Sequence, residues 1–143
     1  MFAPLSRFTE PTYAILRIVV GLLFAFHGAQ KLFGMFDGTT RPLASLMGLA
    51  GIIEFGGGAL VMVGLLAGFA AFIASGQMAF AYFLAHAPRG SWPIQNEGEL
   101  AALFCFVFLF ISARGAGIWS VDAALVRRRR SMPAGGTEGW SRA

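Results

Sequence analysis

Four long apolar runs constrain the fold of this chain more than any other feature of its sequence. Each is close to the roughly 20 residues that a helix needs to cross a bilayer, and together they leave only short connections in a chain of 143 residues. Hydrophobic side chains make up 57% of the sequence and charged ones 13%, so a soluble globule would lack the polar side chains to cover its surface. We therefore predict an all-α integral membrane domain, a bundle of four transmembrane helices in the lipid bilayer.

Turn-forming residues between the apolar runs place the four helices. Segments rich in glycine, proline and polar residues interrupt the apolar pattern, and the predicted spans are residues 13–34, 43–66, 68–87 and 97–117. Residues 1–12 form a short lead-in, and residues 123–143 form a basic tail whose composition cannot bury enough apolar surface to fold. The predicted organisation is therefore a lead-in over 1–12, a four-helix domain over 13–122 and a disordered cytoplasmic tail over 123–143.

The distribution of basic residues predicts the orientation in the membrane. Four consecutive arginines, residues 127–130, follow the last apolar run, which is where the cytoplasmic flank of a membrane helix belongs. We interpret them in this way and not as a nucleic-acid site, although the formal net charge is +4. Arg7 and Arg17 lie near the other terminus, so both termini are expected in the cytoplasm. An even number of crossings agrees with this, because it puts both termini on the same side. The first apolar run lacks the features of a cleavable signal peptide and is expected to stay as an anchor of a multi-pass inner-membrane protein.

Cysteine and histidine usage limits the redox and metal chemistry that we expect. Cys105 is the single cysteine, so neither an intrachain disulfide nor a Cys-x-x-Cys pair can form. His27 and His86 fall on helices that run in the same direction, but their predicted depths differ by about 8 Å, which disfavours a haem held between them. We expect neither haem nor metal.

Ionisable residues inside the predicted spans are the most informative feature for function. Such groups cost at least about 2.5–3.5 kcal/mol each at the bilayer centre, so each needs a partner, a water-filled cavity or a route to the interface. Arg17 and Lys31 recur on one glycine-containing stripe of the first helix, with His27 beside it. Glu54 shares a face of the second helix with two glycines, near the predicted midplane. We expect Glu54 to face the first helix and to interact with His27, Lys31 or Arg17, with Gln77 of the third helix as a hydrogen-bonding neighbour.

This predicted cluster has two interpretations. A buried ion pair can serve only to fix the register of two helices. Alternatively, an intramembrane carboxylate among cationic groups can hold or release a proton or bind a polar head group.

The start of the fourth helix has the composition of a helix cap. Asn96 is predicted to accept hydrogen bonds from the first amides of the helix. Glu97 and Glu99 are predicted to interact favourably with the positive end of the helix dipole. Capping alone is sufficient to explain these three residues.

Taken together, these motifs resemble those of the DoxX family of small four-helix bacterial membrane proteins, from about residue 16 to residue 122. The resemblance rests on the order and spacing of Arg17-Ile-Val-Val-Gly21, Gly28-Ala-Gln-Lys31-Leu-Phe-Gly34, Gly51-Ile-Ile-Glu54-Phe-Gly-Gly57, Asn96-Glu-Gly-Glu99-Leu-Ala and Gly115-Ala-Gly117-Ile-Trp-Ser-Val-Asp122. The family takes its name from a subunit of a thiosulfate:quinone oxidoreductase. The resemblance therefore implies a redox-associated membrane subunit linked to quinone.

Three classes of function follow from the residues and from the resemblance. The first is the quinone-linked subunit, whose site would lie around Arg17, His27, Lys31 and Glu54. The chain has no evident electron carrier and no complete catalytic constellation, so this function would need a partner redox subunit. The second is a carrier of protons or small molecules. The third is a non-catalytic assembly subunit, working with a partner or as a homo-oligomer.

Overall fold

The structure, a computed structural model, describes residues 3–131, which form helices and turns without any strand. The helices are α1 (Ala3–Ser6), α2 (Thr9–Phe33), α3 (Leu46–Val63), α4 (Ala67–Arg89), α5 (Glu99–Arg114) and α6 (Val121–Ser131). Helix α3 contains a wide π-helical turn over Ile53–Gly57, and α4 ends in a π-helical turn and a short 3₁₀ turn. Helices α2 to α5 pack as an antiparallel bundle, which confirms the predicted four-helix fold.

Three of the bundle helices are long and apolar enough to cross a membrane. These are α2, α3 and α4, with 25, 18 and 23 residues. Helix α5 has 16 residues and so rises about 24 Å, less than the roughly 30 Å of a hydrocarbon core. The predicted fourth span over 97–117 was too long, because Glu97 and Gly115 both have positive φ angles and the regular helix lies between them.

Close backbone contact between α2 and α3 fixes the part of the bundle on which the polar residues lie. A Cβ atom on Gly21 would lie 2.6 Å from the backbone nitrogen of Met62, and one on Gly58 would lie 2.6 Å from the backbone nitrogen of Ala25. Only glycine allows this approach, and small residues are the usual means of helix contact in lipid. This contact places Lys31 of α2 opposite Glu54 of α3.

Aromatic rings fill the core between α2 and α5. The rings of Phe24 and Phe108 lie 4.6 Å apart between centroids, and Phe104 stacks on Phe108 at 5.6 Å. Helix α4 packs its alanine face against α5, and Ser75 donates a hydrogen bond of 2.8 Å to the carbonyl oxygen of Cys105. Large apolar side chains such as Phe69 and Phe106 remain exposed on the outside of the bundle, as lipid contact requires.

Residues 121–131 form helix α6, so the prediction of a disordered tail from residue 123 was wrong over this part. The Asp122 carboxylate accepts hydrogen bonds from the backbone nitrogens of Leu66 and Ala67, at 3.1 and 3.3 Å. Ser120 caps the helix by accepting from the backbone nitrogen of Ala123 at 3.1 Å. These local bonds order the segment without a buried apolar face. Residues 132–143 lie outside the described residues.

Candidate functional site

Three helices bring Lys31, Glu54 and Gln77 together in the interior of the bundle. Lys31 Nζ forms an ion pair with Glu54 Oε1, and Gln77 Nε2 donates to the same oxygen at 3.0 Å. Glu54 is 1% exposed, so its charge depends on these two neighbours. The side chains come from α2, α3 and α4, respectively.

Two acceptor atoms of this cluster have no hydrogen-bond donor. Glu54 Oε2 and Gln77 Oε1 are both buried, and no described residue donates to either of them. A buried polar atom without a partner costs about 1–3 kcal/mol and is uncommon in folded proteins. The arrangement is therefore suited to a donor supplied by water or a ligand.

A cavity of about 250 Å³ lies against this cluster. Its polar wall includes Glu54 and Gln77 as well as His27, Lys31, His86 and Glu97. The remaining wall is apolar and includes Phe24, Met78, Leu100 and Phe104. A few polar groups in an apolar wall are typical of small-molecule sites.

An apolar groove of about 590 Å³ lies beside the cavity, between α3 and α4. The cavity and the groove share Met47, Ala50, Gln77, Ala81 and Ala85. The rest of the groove is formed by large apolar side chains such as Leu46, Ile53, Phe80 and Leu84, of which Leu46, Phe80 and Leu84 are more than half exposed on the outside of the bundle. The cavity therefore carries the polar side chains, and the groove beside it is almost wholly apolar.

His27 lines the cavity but does not take part in the ion pair between Lys31 and Glu54. Its ring meets Phe104 edge-on at 6.1 Å between centroids, and no residue among 3–131 forms a hydrogen bond with it. It therefore contributes an unused polar edge to the cavity.

Arg17 lies at the opposite end of α2, which corrects the expectation that it shares a site with Glu54. It is fully buried and donates to the carbonyl oxygens of Val61, Met62 and Trp119, at 2.6, 2.7 and 2.8 Å. Val61 and Met62 belong to the last turn of α3, whose carbonyls lie at the negative end of the helix dipole. The Val61 carbonyl also accepts from the backbone nitrogen of Gly64 at 3.2 Å. Arg17 therefore caps α3 instead of joining the cluster.

Asn96 was predicted to cap the first amides of α5. It instead closes the loop before this helix. It is 1% exposed; its Oδ1 accepts from the backbone nitrogen of Gly98 at 2.8 Å and its Nδ2 donates to the carbonyl oxygen of Gly90 at 2.8 Å. Because Glu97 has a φ of +58°, it lies outside the helix and pairs with Arg89 at 3.1 Å. Of the three predicted capping residues, Glu99 alone lies in the first turn.

His86 and Glu97 line the cavity, although the sequence had not indicated that they belong to this site. His86 Nδ1 lies 3.0 Å from Arg89 Nη2 and 3.1 Å from the carbonyl oxygen of Asn96. Arginine can only donate and a carbonyl oxygen can only accept, so Nδ1 can form a hydrogen bond with one of these two partners, depending on the tautomer. The missed signal is the antiparallel order of the helices, which brings the end of α4 and the start of α5 to the same end of the bundle as Lys31.

Comparisons with known proteins agree with this fold. The DoxX family model matches residues 12–87, which cover most of α2 to α4. An uncharacterised protein of Haemophilus influenzae is 38% identical over 125 residues, which are 82% of this chain and 93% of that protein. No solved structure matches the chain at a significant level. The family match and this relative, together with the apolar helices, show that the chain is a membrane protein of the DoxX family.

Proposed function

We propose that this protein is a redox-associated membrane subunit that binds the ring of a quinone or quinol in the cavity beside Glu54. The observation that carries the proposal concerns Glu54 and Gln77, each of which has a buried acceptor oxygen without a donor among the described residues. Both residues line a cavity that shares part of its wall with an apolar groove. An amphiphile with a small polar ring and an apolar tail matches the cavity and the groove.

The donor set suits both oxidation states of such a ring. A quinol hydroxyl donates, and the free oxygens of Glu54 and Gln77 are acceptors. A quinone carbonyl accepts, and Lys31 retains ammonium protons beyond the one given to Glu54. When bound, the ring would supply two-electron, two-proton redox chemistry, while these side chains would orient it and hold protons at its oxygens.

In this proposal, the groove between α3 and α4 accommodates an isoprenoid or other apolar tail of the ligand. Its wall is almost wholly apolar, and the small side chains of Ala81 and Ala85 line both the groove and the cavity. A tail leaving the cavity by this route would reach the surface of the bundle that faces lipid.

Electrons would have to come from another protein. The described residues contain no cluster of three metal-ligating side chains, and the sequence provides one cysteine. We therefore infer a partner redox subunit, in agreement with the oxidoreductase subunit from which the family takes its name.

Transport of protons or solutes across the bundle is less well supported. Phe24, Phe104 and Phe108 pack against one another next to the cavity, and no polar side chain among the described residues continues the cavity through them towards Arg17. Phe24 and Phe104 therefore bound the cavity on this side, and Arg17 is not part of its wall.

Quinone binding is the decisive experiment. Purified protein in nanodiscs is titrated with a short-tailed ubiquinone analogue, and bound quinone is counted by native mass spectrometry. We expect Glu54→Gln and Lys31→Met to weaken binding at least about tenfold, the equivalent of one charge-assisted hydrogen bond.

Arg41→Met is the matched control, because Arg41 is exposed and does not line the cavity. Unchanged binding in a folded Glu54→Gln variant would contradict the proposal. Changed proton flux in liposomes without any quinone binding would favour the carrier instead.

A further inference from the structure

One end of the bundle is strongly basic. The basic end consists of Arg7, Arg17, Arg114 and the four arginines at 127–130, which are seven of the basic residues described. It contains two of the acidic residues described. The opposite end, which holds the cavity, has three basic residues and four acidic ones. The excess positive charge therefore lies at one end of the bundle.

The arginines of α6 have no partner within the described part of the chain. All four are exposed, and none forms an ion pair with a residue among 3–131. Arg114 differs, because it pairs with Glu10 and lies 4.3 Å from the ring centre of Tyr13. The free charge of the basic end is concentrated on α6.

Helix α6 is held at the level where the spans end. The backbone nitrogen of Asp122 donates to the carbonyl oxygen of Gly64 at 3.0 Å, in the turn between α3 and α4. Arg17 holds the preceding loop through Trp119. These bonds fix the start of α6 beside the ends of two membrane-spanning helices, which is the depth of the headgroup region.

A groove and an apolar face accompany the arginines. The groove, of about 610 Å³, lies between the loop after α5 and α6, and its wall includes Trp119, Val126 and Arg127. Asp122 also lies on this wall, with its carboxylate engaged by two backbone N–H groups. Val121 and Leu125 lie one helical turn apart and are 38% and 47% exposed, so they can enter the apolar side of the interface while Trp119 lies at its boundary.

We propose that α6 and this groove form a binding surface for anionic phospholipids of the adjacent leaflet. The arginines provide donors and charge for lipid phosphates, Trp119 lies at the level of the glycerol, and Val121 and Leu125 contact acyl chains. An RNA ligand would use the same charge but would leave this apolar face exposed to water, so the lipid matches more of the surface.

The experiment measures lipid selectivity of the full chain. Protein in nanodiscs of equal phosphatidylglycerol and phosphatidylcholine is released and analysed by native mass spectrometry. We expect the wild-type chain to retain phosphatidylglycerol preferentially. Replacing the four arginines at 127–130 by glutamine should reduce this preference by about tenfold or more, and replacing them by lysine should retain most of it. Higher salt should weaken it.

The matched control is the double variant Arg41→Gln and Arg89→Gln at the opposite end, which should keep the preference. Because the four arginines are exposed and form no ion pair with a residue among 3–131, thermal unfolding of the glutamine variant should equal that of the wild type. An unchanged lipid preference in that variant would overturn the proposal, and so would an equal loss in the control. Loss of binding to an RNA oligonucleotide with unchanged lipid selectivity would assign the surface to nucleic acid.

Discussion

Arg17 and Lys31 show how the same charge on one helix meets two different environments. They are fourteen residues apart, about 21 Å along α2, so one reaches the end of α3 and the other its middle. A basic partner for Glu54 on the first helix could be predicted, because a carboxylate in an apolar span must find a cation, but the sequence left His27, Lys31 and Arg17 as alternatives. The partners of Arg17 could not be predicted, because every residue has a carbonyl and the sequence does not show which ones lack hydrogen bonds.

Replacing Arg17 by methionine should destabilise the fold. The change removes the Arg17 donors of the Met62 and Trp119 carbonyl oxygens and leaves that of Val61 with only the backbone nitrogen of Gly64. We therefore expect a loss of about 3 kcal/mol or more in the free energy of unfolding. Unfolding of detergent-solubilised protein by a denaturing detergent, followed by circular dichroism, measures this. The exposed Arg41→Met should change stability by less than about 0.5 kcal/mol. Equal stability of the two variants would contradict the capping role of Arg17.

At the level of elements, the contact between α2 and α3 depends on residues without side chains. The sequence placed Gly51, Glu54 and Gly58 on one face of a regular helix, and all three are buried. It did not predict the π-helical turn over Ile53–Gly57. Such a turn needs one extra residue in the same helix length, and the periodic spacing of apolar and small residues does not reveal it.

Substitution of Gly21 by alanine should separate α2 from α3. Its Cβ atom would lie 2.6 Å from one backbone atom of α3 and 2.7 Å from another, and backbone cannot move aside as a flexible side chain can. We expect a destabilisation of about 1–3 kcal/mol, measured by the same unfolding assay.

The control for this prediction is Gly76→Ala in α4. No atom lies within 4 Å of a Cβ there, so the helix propensity of alanine should dominate and raise stability by up to about 1 kcal/mol. A stabilising effect of Gly21→Ala would show that the helices are not in close contact.

For the whole molecule, the apolar runs and their turns were enough to predict the helical bundle and its antiparallel order. The short α5 and the ordered α6 escaped prediction for a common reason. Both depend on single backbone conformations or on side-chain bonds, such as the positive φ of Gly115 and the hydrogen bonds of Asp122. Hydrophobicity carries no signal for either feature.

The charge asymmetry predicts the orientation in the membrane, with the basic end in the cytoplasm. Single cysteines at the exposed positions Thr39, Ser91 and Ala124, introduced into a Cys105→Ser background, report this orientation. A membrane-impermeant maleimide added to intact cells permeable at the outer membrane should label positions 39 and 91 but not 124. Labelling at position 124 alone would show that the chain has the opposite orientation.

The packed rings of Phe24, Phe104 and Phe108 have a consequence for energy coupling. They lie between Arg17 and the part of the cavity wall that carries His86 and Glu97. For the proposed quinone site, this packing favours proton exchange on the side of His86 and Glu97. Turnover there would then act on the transmembrane proton gradient with a fixed sign.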